Sequence, residues 1–139
     1  MTASFEAELL PQPEAISALT ERVMGYLSEA GVDARAAHHV ALVFDELLTN
    51  LGSHGGSPDR PAAVRIVVES DKIRAEIRDS GPAFDIRAAA EPALNQTIEE
   101  REIGGLGLFL IRQFASEISY ERRDGMNCTR FAILRQVVS

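Results

Sequence analysis

Glu46, Asn50 and His54 place a carboxylate, a carboxamide and an imidazole at intervals of four residues. Four residues advance an α-helix by a little over one turn, so the three groups form one slanted stripe. A carboxylate in such a stripe can accept a proton, and an amide oxygen one turn away can hold a hard cation. Val40, Val43, Phe44, Leu47, Leu48 and Leu51 follow the i, i+3, i+4, i+7 rule beside them and define a buried face. By helical-wheel arithmetic, Glu46 lies ~130° from the centre of that face, Asn50 ~90° and His54 ~50°. The stripe therefore runs along the border of a core, where it could line a cleft. A solvated helix edge ending in a histidine near the helix dipole is the competing reading of the same residues.

Two glycine segments carry further chemistry. Asp79-Ser80-Gly81-Pro82-Ala83-Phe84-Asp85 lies where a strand pattern ends. Asp79 can close an Asx turn there, or a buried carboxylate can accept a hydrogen bond from an exocyclic amine such as that of adenine. Gly81 would let a base approach the backbone with no Cβ in the way, and Phe84 reads as an anchor of the turn in the core. Gly104-Gly105-Leu106-Gly107-Leu108-Phe109-Leu110-Ile111 puts three glycines directly ahead of an apolar helix. That arrangement presents backbone N–H groups at a positive helix end and suits a polyphosphate, with a flexible hinge as the alternative. It is neither a Walker A loop, since no Lys-Ser/Thr follows, nor a dinucleotide fingerprint, since no βαβ frame surrounds it.

The elements that must position these groups follow from local patterns. Ser4 to Leu10 alternates as an edge strand, ended by Pro11 and Pro13. A helix is predicted over Pro13–Ala30 with Gly31 as its stop. Asp33 caps a second helix that carries the stripe to about Leu51, and 52–61 is a Gly/Ser/Pro loop. Ala63–Glu69 and Lys72–Asp79 alternate as a hairpin, and 80–104 has weak periodicity. Leu106–Ser116 returns to helical spacing, and Ile118–Arg123 and Thr129–Val137 form a last antiparallel pair turning at Asp124-Gly125. The order β-α-α-β-β-loop-α-β-β predicts a two-layer α+β sandwich with helices on one face of a mostly antiparallel sheet.

With 139 residues, the chain suits one domain over 1–139 with one substantial core. A net charge of −7 without a basic patch argues against nucleic acid as the main partner. The lone Cys128 excludes an internal disulfide and reads as a strand thiol. No membrane span or signal peptide is evident, so a cytoplasmic protein is expected. His38 and His39 read as ordinary helix residues, and Arg101 and Arg112 as surface cations within reach of a phosphate site.

Taken together, these segments resemble the GHKL ATPase superfamily. Glu46-x-x-x-Asn50 resembles its N box, Asp79-x-Gly81 and Gly105-x-Gly107 its two glycine boxes, and Thr129 its adenine-pocket threonine. Within the superfamily the chain is most similar to the bacterial anti-sigma factor serine/threonine kinases. The resemblance implies a Bergerat (histidine-kinase-like ATPase) fold binding Mg²⁺-ATP under a lid over about 86–104. It implies that Glu46 is the general base and that Asn50 holds the Mg²⁺. Asp79 would read the adenine amine, with His54, Gly81 and Thr129 in the nucleotide site. Gly105, Leu106, Gly107 and Leu108 would cradle phosphates. It further implies a sigma factor and a STAS-type anti-anti-sigma protein as partners, and suggests a homodimer. A nucleotide-binding module without catalysis, a detached histidine-kinase catalytic domain and a scaffold that has lost ATP are the alternatives.

Overall fold

The structure, a computed structural model, describes residues 4–53, 59–85 and 111–136. In chain order these form β1 (Ser4–Leu9), α1 (Pro13–Glu29), α2 (Ala34–Ser53), β2 (Ala62–Val68), β3 (Lys72–Asp79), β4 (Glu117–Arg123) and β5 (Met126–Leu134). A short helical stretch at 111–114 precedes β4.

The two helices owe their limits to local chemistry. Pro13 sits at the start of α1, where its missing N–H costs nothing. Gly31, at φ 78°, closes that helix. The N–H of Gly31 donates to the Ser28 carbonyl (3.1 Å) and that of Val32 to Leu27 (3.0 Å), the paired bonds of a Schellman end. Asp33 then caps α2 by accepting the Ala36 N–H at 3.1 Å, as its position in the sequence predicts. Its other oxygen accepts the N–H of Gln136 at 2.9 Å, which ties the end of the chain to the start of α2.

The five strands lie in the order β1-β2-β3-β5-β4, every neighbouring pair antiparallel. Period-two alternation sends Ile73, Ala75, Ile77 and Asp79 of β3 to the helix side and Arg74, Glu76 and Arg78 to the other. Ile73, Ala75 and Ile77 close one core with Val40, Val43, Phe44, Leu47 and Leu48 of α2 and Ile16, Leu19, Val23 and Leu27 of α1. Each large apolar side chain among them contributes about 1.5–3 kcal/mol by leaving water. Phe44 meets Phe131 of β5 edge-on, ring centres 5.2 Å apart, and so sets the height of α2 over the strand beside β3. The opposite sheet face carries interleaved charges such as Arg74 with Glu69 (3.0 Å) and Arg130 with Glu121 (3.5 Å). The expected α+β sandwich is therefore present.

Several boundaries differ from the sequence reading by one to three residues. α2 runs through Gly52 to Ser53 rather than ending near Leu51, because Gly52 is held against the backbone of Pro11. β2 starts one residue earlier, at Ala62. β5 begins at Met126, three residues before the predicted Thr129, because Asp124 and Gly125, both at positive φ, make a two-residue hairpin turn. His39 is half-buried and stacks on Phe114 (centroids 3.9 Å apart, planes 11° apart), tethering the 111–114 turn to α2. Burial, with the charges of Arg35 and His38, lowers its pKa.

Candidate active site

Where α2 passes over the ends of β3 and β5, polar side chains interrupt the apolar layer. Asn50 is 5% exposed, Asp79 7% and Asn127 2%, and these three are the buried polar side chains among the described residues. Glu46, one turn before Asn50, is half-buried. The wheel angles anticipate this gradient, with Asn50 nearer the apolar face than Glu46.

The Asn50 amide is fixed in orientation. Its Nδ2 donates to the Glu46 carbonyl at 2.7 Å, which commits the N–H side to the helix and leaves Oδ1 as the atom offered elsewhere. Burial, reinforced by the neighbouring Asp45 carboxylate, raises the pKa of Glu46 above the ordinary glutamate range. A carboxylate so perturbed is a stronger base than a solvated one and is a candidate for proton transfer.

Asp79 ends β3 on the helix side. Its Oδ1 accepts the Gly81 N–H at 2.9 Å, which is the Asx turn, and the Nδ2 of Asn127 at 3.0 Å. The turn that follows is gripped from three sides. Arg60 Nη1 donates to the Ser80 carbonyl (2.9 Å), Arg122 Nη1 to the Gly81 carbonyl (3.0 Å) and Asn127 Nδ2 to the Pro82 carbonyl (2.8 Å). Gly81 is buried under these contacts.

Leu47, Leu51, Ile77, Asp79, Pro82, Phe84 and Thr129 line a cavity at this point. Six predominantly apolar walls and one buried carboxylate suit a planar heterocycle with a donor on its edge. The free space is about 20 Å³, room for about one water molecule. A purine therefore needs the walls to part. Phe84 does pack on the core, as its sequence context predicts, and it also forms one wall. A larger hollow, about 430 Å³, lies across the sheet among Glu6, Glu8, Arg65, Glu76 and Arg78. Four of its charges pair, Arg65 with Glu6 at 3.6 Å and Arg78 with Glu76, and none is a fully buried group. It is a dip in a solvated face.

The structure thus brings Asp79 and Thr129 to one pocket, holds Gly81 in the turn beside it, and sets Glu46 and Asn50 on the helix above it. His54, Gly105, Leu106, Gly107 and Leu108 lie outside the described residues, as does Arg101. Arg112 is exposed at the start of the 111–114 turn. The residue missed from sequence is Asn127. With β5 begun at Thr129, it falls in a loop; in the structure it sits directly opposite Asp79 in the β3–β5 register.

Asn50 fits a Mg²⁺ ion that is held mainly by phosphates and water. Such an ion takes only one or two protein oxygens, and the orientation of this amide presents an oxygen. Among the described residues, no group of three His, Cys, Asp or Glu side chains forms a metal cage of its own. No helix among them is long and apolar enough to cross a membrane.

Comparisons with known proteins follow the same lines. A family model of the histidine kinase-like ATPase domain matches residues 9–133. The chain is 36% identical over 96 residues to the serine/threonine-protein kinase BtrW of Bordetella bronchiseptica, covering 68% of each protein. It is 26% identical over 126 residues to the serine-protein kinase RsbW of Listeria monocytogenes, covering 86% of this chain and 80% of RsbW. A crystal structure of the RsbU and RsbW domains of Rv1364c from Mycobacterium tuberculosis shares the fold at a TM-score of 0.64 and 16% identity. It covers 99% of this chain, which spans 35% of that longer one. With a family model spanning nearly its whole length, the chain belongs to the histidine kinase-like ATPase domain family.

Proposed function

We propose that this protein is an ATP-dependent serine/threonine protein kinase that sequesters a sigma factor and phosphorylates a STAS-type anti-anti-sigma protein. The observation that carries the reading is the pairing of Glu46, raised in pKa, with the oriented amide of Asn50, next to a pocket floored by Asp79. The kinase names of BtrW and RsbW support it from outside the geometry.

In this reading adenine enters between Leu47, Ile77 and Phe84, and its exocyclic amine donates to the Asp79 oxygen not used by the turn. Thr129 flanks that contact from β5. Asn50 Oδ1 would hold a Mg²⁺ ion, which would neutralise charge on the phosphates when bound. Glu46 accepts the proton of the incoming serine or threonine hydroxyl as its oxygen bonds to the γ-phosphorus and the bond from that phosphorus to the bridging oxygen breaks. Phosphoryl transfer asks little more of a protein than alignment, charge stabilisation and a base. Gly105, Leu106, Gly107 and Leu108, with His54, complete the site as the phosphate-side wall under a lid over 86–104. The chain works as one ATPase unit and as a homodimer.

The test is transfer of radiolabelled γ-phosphate from Mg-ATP to a STAS-domain protein encoded by the same genome. Wild type should label a serine or threonine. Glu46→Gln should bind ATP normally and lose roughly 10²–10⁴-fold in transfer rate, the usual contribution of a general base. Unchanged transfer by that variant would remove Glu46 from the role. The narrowness of the cavity favours a second reading, an interaction module that does not bind nucleotide. Calorimetric titration with Mg-ATP separates the two, since that module would give no heat.

A further inference from the structure

We propose that Asn127 is a specificity-determining, positioning residue that aims Asp79 at the base; the inference rests on the reading of Asp79 as the adenine acceptor. The case starts from which atoms surround the Asn127 amide. On one side stand Tyr120 Oη and Arg122 Nη1 (2.9 Å). On the other stand Asp79 Oδ1 (3.0 Å) and the carbonyls of Pro82 (2.8 Å) and Gly81 (3.4 Å). A guanidinium can only donate and a carbonyl can only accept, so the amide has one satisfactory orientation, oxygen toward Arg122 and nitrogen toward Asp79. Tyr120 joins on the oxygen side as a donor. At 2% exposure the side chain is sealed from water, and a wrongly turned amide would leave several buried groups unpaired.

The consequence for Asp79 is geometric. Two donors, the Gly81 N–H and Asn127 Nδ2, hold the same oxygen, Oδ1. That fixes the plane of the carboxylate and reserves Oδ2 for a third donor. The cavity beside Asp79 is otherwise walled by apolar side chains and Thr129. A ring amine arriving there finds an acceptor already aligned. A ring carbonyl at the same position meets an acceptor and is rejected, because a site built for a donor is left unsatisfied by its analogue. Asn127 touches no base in this arrangement; it acts through Asp79. Tyr120 and Arg122, both on edge strand β4, in turn hold Asn127.

The experiment compares binding of ATP and of purine riboside triphosphate, which lacks only the exocyclic amine, by calorimetry in the full chain. Wild type should prefer ATP by roughly tenfold to a hundredfold, the range expected for one hydrogen bond to a charged acceptor. Asn127→Ala and the isosteric Asn127→Asp should both collapse that preference to within about threefold, by weakening ATP while leaving the amine-free nucleotide nearly unchanged. Asp79→Asn should do the same. A purely structural role would weaken both nucleotides alike and keep the ratio, and that result overturns the inference while leaving the Asp79 reading intact. A wild type that does not discriminate overturns both. Should the Asn127 variants melt below the assay temperature, Tyr120→Phe removes one donor to the amide oxygen and should narrow the ratio severalfold; an unchanged ratio there overturns the inference.

Discussion

Gly52→Ala sets two effects of known size against each other at the end of α2. Gly52 lies in the last turn of α2, two residues beyond Asn50, and its backbone is outside the left-handed region. Alanine is the better helix former there by about 1 kcal/mol, which alone would stabilise the protein. Against this, a Cβ at Gly52 would stand 2.2 Å from the carbonyl oxygen of Pro11 and 3.4 Å from its carbon, whereas real Cβ atoms keep at least 3.0 Å. The offending atom is backbone in the connection between β1 and α1, so no side-chain rotation relieves it. Overpacking costs typically 1–3 kcal/mol, and the need to move main chain puts this case near the top, at about 3 kcal/mol. The net is a loss of about 2 kcal/mol. For a domain of this size each kcal/mol lowers Tm by about 3–5 °C, so a fall of roughly 6–10 °C is expected. Thermal melting followed by circular dichroism measures it, and urea unfolding with an unchanged m-value would locate the effect in the folded state. Because Asn50 shares the displaced turn, Mg-ATP affinity should fall with the melting point. A variant as stable as wild type would mean that helix propensity decides this position, and that the approach of Pro11 is not what requires glycine.

Glu46 should show a conflict between activity and stability. Because burial and the Asp45 charge raise its pKa in the folded state, ionising it costs more there than in the unfolded chain. That penalty is absent below about pH 4, where both forms are protonated, and fully present once pH exceeds the raised folded value. Glu46→Gln should therefore melt above wild type at pH 8 and converge with it in acid; equal melting points at pH 8 would contradict the assigned shift. The same displacement predicts that the acid limb of kcat/KM falls at a pH above the ordinary glutamate range, as the base is lost by protonation. Phe84→Ala should open the cavity. It should cost stability, roughly 1–2 kcal/mol for a half-buried ring, and should speed association of a fluorescent ATP analogue in stopped-flow mixing. An unchanged association rate would show that Phe84 does not gate entry.

Local chemistry made most of this architecture legible. The Schellman end at Gly31, the Asp33 cap and the alternation of β3 depend on residues within a few positions of each other, and each appears where the sequence puts it. What was missed depends on distant chain. Gly52 reads as the start of a loop until Pro11 is seen against it. Asn127 was partly within reach: a two-residue Asp124-Gly125 turn already pairs Arg123 with Met126 and hence Arg122 with Asn127. Its position opposite Asp79 was not, because that follows from the β3–β5 register across a long separation in sequence. The near closure of the cavity was also invisible, being set by how Leu47, Ile77 and Phe84 meet from three different elements.

The two sequence readings of Asp79, turn-former and base-reader, turn out not to compete. The Asx-turn bond to Gly81 is made, but it uses only Oδ1, and Asn127 adds its hydrogen bond to that same oxygen. Forming the turn is thus the means by which the other oxygen acquires a fixed direction. The apolar walls add a second constraint. They leave about 20 Å³ between them, and apolar surfaces in contact are more stable than apolar surfaces around a dry void. If adenine binds here as proposed, a ring of about ten heavy atoms requires a form with Pro82 and Phe84 drawn back, and its apparent affinity is reduced by the fraction of molecules in that form. The turn that aims the carboxylate and the wall that must move are consecutive residues, Asp79 to Phe84. In the proposed reading, base recognition and opening of the pocket are coupled through one short segment, pinned at its start by Arg60, Arg122 and Asn127 and packed at its end on the core by Phe84.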